Sequence, residues 1–377
     1  MTMYHHDANK TYEQGRSEAA TKMRAKLHSE IDRHRASGQA AVEKVIADVP
    51  RDRYRFMSST EFELGDGNTL IANYSNDAPE TIHPFALGKI CETISIPREF
   101  IGRLMGRQDG EEHWGADLAL DLLNKHFKHQ PTNQDRRMIR SVGTQTRGFM
   151  SDSYARLHPG KLMETFAKEC QKNGLIPYGG HAGDTKFMIN AVLDRVIEPV
   201  KDEVLSIGVV FKESAYGDGA TELSVFMQRM WCTNMAISSS ELRKVHLGAK
   251  AAFDGDEADQ NYQLQTASMC AEIRKAFQTQ LNPAYIAQLE DGVKKAHEAK
   301  VNHTQFEGFL KKHLSKNDVE TVKEKYRSTD ISDLPAGDNW WRASNALSWF
   351  ANQVDDKEKA YDLQKLAGQA IQIGARA

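Results

Sequence analysis

Glu203-Val204-Leu205-Ser206-Ile207-Gly208-Val209-Val210-Phe211, followed by Tyr216-Gly217-Asp218-Gly219 and then Leu223-Ser224-Val225-Phe226-Met227-Gln228-Arg229-Met230-Trp231, is the stretch that decides the fold. Leu205, Ile207, Val209 and Phe211 share one face of an extended chain. After the glycine-rich turn, Leu223, Val225, Met227, Arg229 and Trp231 do the same. Alternation with period two on both sides of a Gly-Asp-Gly turn predicts a long β-hairpin. Residues 186–194 alternate as well, through Phe187, Ile189, Ala191 and Leu193, so the hairpin belongs to an antiparallel sheet. One residue breaks the pattern. Arg229 falls on the apolar face, where a guanidinium needs either an internal carboxylate or a bound phosphate.

Working outward, residues 139–149 read as a further strand. Residues 159–173 read as a helix, with Leu162, Phe166 and Cys170 spaced four apart and Gly174 at its end. Residues 51–82 are strands and turns around Gly65-Asp66-Gly67-Asn68, and residues 83–105 and 116–127 carry helical apolar stripes. At the N-terminus, residues 1–37 form a polar arm whose stripe of Met23, Leu27 and Ile31 is too thin to anchor a helix alone. That arm is expected to be disordered or docked on a neighbour, with a short helix over 39–48 ended by Val49-Pro50. Amphipathic helices fill residues 260–330, and a last helical block begins at Asn339 with Trp340 and Trp341. The expected architecture is α+β: a central antiparallel sheet with a long β-hairpin, packed helices on one side, and a helical C-terminal region. Its expected divisions are a polar arm (1–50), an α+β core carrying a basic strip (51–250), and the helical region (251–377).

The 377 residues include 27% charged and 40% hydrophobic side chains, ordinary for a soluble chain. No apolar run approaches the ~20 residues of a membrane span, and Met1 to Lys10 lack the apolar core of a signal peptide. Cys91, Cys170, Cys232 and Cys270 are too scattered for a disulfide scaffold and read as free thiols, so a cytoplasmic location is expected.

Charge is distributed unevenly. The formal net charge is −3, yet Arg136, Arg137, Arg140, Arg147, Arg156 and Lys161 face only Asp152 within 26 residues. Phe149 and Tyr154 stand among them. Cations interleaved with rings suit single-stranded nucleic acid, whose bases stack while its backbone supplies charge. The competing reading is a solvated turn or a set of structural ion pairs. A second basic group, Arg243, Lys244, His246 and Lys250, follows the polar turn Ser238-Ser239-Ser240. Were the sheet to bring the two groups together, they would form one cationic strip.

Catalytic and nucleotide motifs are missing: there is no GxxxxGK or GxGxxG loop, no GxSxG and no HExxH. The run from Gly179 to Gly183 lacks a following Lys-Ser pair and fits a hairpin turn. Asp254-Gly255-Asp256 opens like a calcium loop but has Gln265 where the twelfth-position glutamate belongs, so it reads as solvated. His126 and His129 lack further ligands at metal spacing. A Cys232–His246 thiol–imidazole pair is the weakest catalytic candidate, since a cysteine ending an apolar strand is usually core. No cofactor or metal is expected.

Several of these segments carry a family likeness. Arg147-Gly148-Phe149-Met150-Ser151-Asp152-Ser153-Tyr154 resembles the R-x-hydrophobic-S-D-x-Y signature of phage- and plasmid-borne proteins grouped as domain of unknown function 932. Arg229 to Met235 resembles that family's R-x-x-C-T-N-G segment, with Met235 in place of the glycine, and His246-Leu247-Gly248 its H-x-G. Residues 86–97 are similar to its L-x-x-L-x-I-P region, and Trp341 to Ala346 to its tryptophan and Asn-Ala block. The resemblance implies a mobile-element setting and no established activity. At fold level, a hairpin sheet with a packed helix and a basic strip is similar to single-strand annealing proteins of the Rad52 type.

The expected function is therefore single-stranded DNA binding, with strand annealing as its extension, by a homo-oligomer that meets host replication or recombination proteins and no membrane. The expected contacts are Arg136, Arg137, Arg140, Arg147, Phe149, Tyr154, Arg156, Lys161, Arg229, Arg243, Lys244 and His246. One rival is a host-interaction protein using exposed Trp340 or Trp349. Another is an enzyme in which Arg229, Asn234 and His246 converge in one pocket.

Overall fold

The computed structural model describes residues 17–75, 77–106, 114–129, 136–217, 219–232, 234–238, 242–246, 256–329 and 333–377. Met1 to Lys10, Asp218, Thr233, Ser239, Ser240, Leu247, Gly248, Lys250, Asp254 and Gly255, invoked above, lie outside them.

The fold is α+β, with two six-stranded sheets and helices on both sides of the hairpin sheet. It opens with α1 (Glu18–Ala47), capped by the Ser17 hydroxyl, which accepts the Ala20 N–H. The expected arm and short helix are thus one continuous helix from residue 18. Gly38 lies within this helix where it approaches a strand closely. A Cβ at Gly38 would lie 3.0 Å from the Pro177 carbonyl group. Met23, Leu27 and Ile31, the thin stripe, are buried on the sheet. Each contributes roughly 2 kcal/mol of apolar burial, which the isolated helix could not obtain.

The first sheet is a curled half-barrel built from β1 (Arg51–Phe56), β2 (Thr60–Leu64), β3 (Leu70–Tyr74) and β4 (Glu80–Ile82), with a hairpin from later in the chain. Between them come α2 (Pro84–Thr93), α3 (Arg98–Met105) and α4 (Trp114–Lys128). The hairpin is β5 (Arg136–Val142) and β6 (Gln145–Ser151). Strand order is β1-β5-β6-β4-β3-β2, and only the β4–β6 pairing is parallel. The single strand expected over 139–149 is therefore two, because Gly143 at φ +58° makes the turn. Phe62, Phe127, Ile139 and Phe149 form the core beneath α2 and α4. At the β2 edge, the Asn124 amide accepts the Phe62 N–H at 2.8 Å and donates to its carbonyl at 2.9 Å, so a side chain completes the missing ladder position.

After α5 (Pro159–Lys172) comes the second sheet, with β7 (Leu175–Ala182), β8 (Phe187–Val200), β9 (Glu203–Glu213), β10 (Ala220–Arg229), β11 (Met235–Ile237) and β12 (Leu242–Val245). It is antiparallel in the order β11-β10-β9-β8-β7, with β12 also on β10, and the β9–β10 hairpin is the one expected. Gly179 to Ala182 belong to β7 rather than to a turn. Ile189, Val209 and Val225 face a core shared with α5 and with α6 (Asp256–Gln280), α7 (Pro283–Glu298), α8 (His303–His313), α9 (Lys316–Arg327), α10 (Trp340–Ala351) and α11 (Lys357–Arg376). Val192, Val204, Val210 and Phe226 face α1 on the other side. Trp231 does not extend the apolar face: β10 ends at Arg229, and the indole is 37% exposed, donating to the Asp202 carbonyl. Trp340 and Trp341 are buried, and Lys325 lies over the half-buried Trp349 ring. No helix among the described residues is long and apolar enough to cross a membrane.

Candidate nucleic-acid interface

Strand alternation sends the arginines of β5 to opposite faces of the half-barrel. Arg140 and Arg136 point to the side that meets the hairpin sheet. Arg140 is fully buried: Nε and Nη2 donate to the two Asp52 carboxylate oxygens at 2.6 and 2.7 Å, and Nη1 donates to the Ala215 carbonyl at 2.6 Å. Burial opposes its charge, but the Asp52 carboxylate outweighs that and holds its pKa above the ordinary value. Asp52 pairs with Arg140 in the strand register, so this contact follows from the β1–β5 alignment. It also ties one sheet to the loop after β9 of the other.

Three of the other expected contacts are also held by carboxylates. Arg147 donates to Asp48 at 2.7 Å and to the Asp184 carbonyl at 3.1 Å, and Lys44 bridges the same two residues. Arg229 donates to both Glu203 oxygens at 2.7 and 2.9 Å, and the Trp341 indole donates to the same carboxylate. Its partner is thus an internal carboxylate, the first of the two options its sequence position allowed. Arg243 donates to Glu222 at 2.9 Å from an otherwise exposed position. Phe149 is 3% exposed and packs on Phe127. It is a core ring and presents no face to a base. Lys161 and Lys244 are exposed.

His246 is buried against Tyr154, the rings stacked 5.1 Å apart at 10°. Its Nδ1 faces the Ala155 carbonyl at 3.3 Å, and its Nε2 lies 3.0 Å from a Glu213 oxygen without an aligned hydrogen bond. The Tyr154 hydroxyl donates to the Ser214 carbonyl, and burial raises its pKa. The two basic segments of the sequence therefore do meet, through Tyr154, Ala155 and His246, but they meet in the interior.

The same face of β5, nearer its start, carries a different arrangement. The Arg136 guanidinium lies 4.5 Å from the Tyr54 ring centre, and Arg156 lies 5.7 Å from the same ring. Arg156 is also 4.9 Å from the Tyr262 ring, which stacks on His158 at 6.2 Å. Asp259 approaches Arg156 at 3.8 Å. Arg136, Tyr54, Arg156, Tyr262 and His158 thus form a ladder of alternating guanidinium and aromatic groups drawn from β5, β1, the segment after β6, α6 and the start of α5; Tyr54 and Arg156 are buried within it, and Arg136, Tyr262 and His158 are the partly exposed members. Lys161 stands in the first turn of α5, whose cap is His158. Burial, then Lys161 and Arg140, hold the His158 pKa below its usual value. Burial pushes Tyr262 up to about 12.

Tyr54, Tyr262 and His158 went unread in the sequence. Arg51-Asp52-Arg53-Tyr54-Arg55-Phe56 does contain the signal, since alternation separates three arginines from the Asp-Tyr-Phe set. The arginine set serves the inner face. Arg53 reaches Asp77 at 3.0 Å and buried Glu80 at 2.7 Å, and Arg51 also pairs with Glu80. Ser141 and Thr146 donate to the same carboxylate at 2.5 and 2.7 Å. Arg137 lies over the Met57 sulfur at 3.5 Å.

Arg229 and His246 lie at opposite ends of β10, next to Glu203 and Glu213 respectively, and Asn234 is bonded to Asn345 and the Asp333 carbonyl. The polar cluster required by the enzyme reading does not form. Cys232 sits beside Arg229, away from His246. No cluster of three or more metal-ligating side chains occurs among the described residues. Searches against family models, curated proteins and solved structures return no match for this chain.

Proposed function

We propose that this protein binds single-stranded nucleic acid, DNA in the first instance, where the Arg136–Tyr54–Arg156–Tyr262–His158 ladder comes to the surface at Arg136, Tyr262 and His158. The observation that carries the reading is the alternation of guanidinium groups with aromatic rings. Bases stack on rings and on guanidinium planes with little regard to sequence, while phosphates take the charge. Lys161 flanks the ladder and would contact the backbone. Arg140, Arg147 and Arg229 are supports in this reading, because their carboxylates already neutralise them. In the mobile-element setting that the family resemblance implies, a homo-oligomer that aligns such ladders would coat or anneal strands and hand them to host recombination proteins.

The test is fluorescence anisotropy of labelled single- and double-stranded oligonucleotides across a salt series, with light scattering for oligomer size. Single-strand affinity should fall steeply with salt. Reversing Arg136 and Lys161 to glutamate should weaken it by about tenfold or more at low salt. Reversal of Arg140 is not a usable test, because it would place two carboxylates together in the interior. Absence of binding at about 50 mM salt, or unchanged affinity in the folded double variant, would overturn the proposal.

A further inference from the structure

The second face of the hairpin sheet is not wholly covered by α1. Where β7, β8 and β11 meet the α10–α11 corner, a cleft of about 430 Å³ remains, and no α1 residue lines it. Its size falls within the usual range for small-molecule sites. Two of its side chains are amides in an unusual state. Gln364 is 9% exposed and lines the cleft, yet its amide makes no hydrogen bond among the described residues. Asn190 also lines it, and its Oδ1 is buried without a partner. A buried amide oxygen left unpaired costs free energy, and beside Asn190 Oδ1 the unbonded Gln364 amide opens into the same cavity, so a ligand there would satisfy both.

From this cleft we infer a binding site for a nucleoside monophosphate. Each amide offers a donor and an acceptor, the combination that pairs with the edge of a nucleobase. Met188 and Met235 supply apolar, polarisable walls suited to a flat aromatic ring. Lys357, in the first turn of α11, and His181, on β7, are exposed at the rim and would take the phosphate. An apolar ligand would leave both amides unpaired, and a bare anion would leave the methionine-walled part empty. The site shares no residue with the ladder and does not depend on it.

The test is isothermal titration calorimetry of the full chain with the four ribonucleoside monophosphates, their nucleosides and inorganic phosphate. At least one monophosphate should bind with a Kd of about 1 mM or tighter. Gln364→Leu, close in shape, should weaken it about tenfold or more, and Asn190→Ala should do likewise. Lys357→Ala should weaken the monophosphate and leave the matching nucleoside unchanged. Should Gln364→Leu fail to fold, Asn190→Ala and the exposed Lys357→Ala carry the test. The inference is overturned if no monophosphate binds below about 10 mM, if inorganic phosphate binds as well as the nucleotides, or if the amide variants bind like the parent.

Discussion

Arg140 in the half-barrel and Arg136 four residues earlier on the same strand differ in what holds them. Arg140 is clamped by both oxygens of Asp52 and a carbonyl, whereas Arg136 rests on the face of Tyr54. The clamp holds Arg140 in the interior, while Arg136 stays partly exposed, so the two residues contribute charge to the surface very differently. A dense run of arginines in sequence therefore divides, in the fold, into supports and candidates for contact. Arg229 with Glu203 repeats the clamp in the other sheet, and Arg156 repeats the ring contact between Tyr54 and Tyr262.

The largest effect that would break this comparison is on stability. Arg140→Met strands a buried Asp52 carboxylate and should cost about 3–5 kcal/mol in urea unfolding. The double variant Arg140→Met, Asp52→Leu should recover most of that loss, since hydrophobic replacement of a buried pair is often near neutral. If the single variant is as stable as the parent, Arg140 is not a support. Arg136→Met, at a half-buried position beside the Tyr54 ring, should cost less than Arg140→Met, on the order of 1 kcal/mol.

The inner face of the half-barrel makes a pH-dependent counterpart. Burial raises the Glu80 pKa, but hydrogen bonds from Arg53, Ser141 and Thr146 overcome it and leave the carboxyl below its ordinary range. A carboxyl lowered on folding contributes its full stability above the unfolded pKa of about 4.3 and loses it as pH falls through the lowered native value. Unfolding measured from pH 6 down to pH 3 (roughly the window set by that unfolded value) should therefore steepen on the acid side. Glu80→Gln should flatten that slope as well as lower stability at neutral pH. An unchanged slope would show that the Arg53–Glu80 contact does not persist in solution.

How far these assignments were visible in the chain depends on range. The β9–β10 hairpin was legible because alternation and turn chemistry are local, and α5 because its stripe and its terminal glycine are local too. The continuity of α1 through Gly38 was not visible because the strand that Gly38 approaches, at Pro177, lies far along the chain. The basic segment was seen, but its neutralising acids were not: Asp48, Asp52, Asp184 and Asp259 come from other elements. Asp52 was the most accessible of these, sitting opposite Arg140 once β1 and β5 are paired. Tyr262 and His158 join the ladder only through the packing of α6 on α5 and had no signal in sequence. Gly38→Ala tests the first point directly. Its Cβ would press on the Pro177 carbonyl group, and the variant should lose about 1–3 kcal/mol, against the gain in helix propensity expected at an exposed site.

The smallest effect is the sharpest test of the division between clamped and ring-held cations. Arg243 is exposed and paired with Glu222 at the surface, and that carboxylate is also held by Lys365 and the Tyr361 hydroxyl. Arg243→Gln should change stability by well under 1 kcal/mol, because an exposed partner contributes little and Glu222 keeps its other two donors. Arg136→Gln should be nearly as silent in unfolding. In nucleic-acid binding the two should part. Loss of a phosphate-contacting cation lowers the slope of log affinity against log salt by about one unit, and Arg136→Gln should show that change. Arg243→Gln should show a smaller one, since its charge is already offset. Equal slopes for both variants and the parent would place the nucleic-acid track elsewhere on the molecule, and a larger change for Arg243 would move it toward the β12 edge.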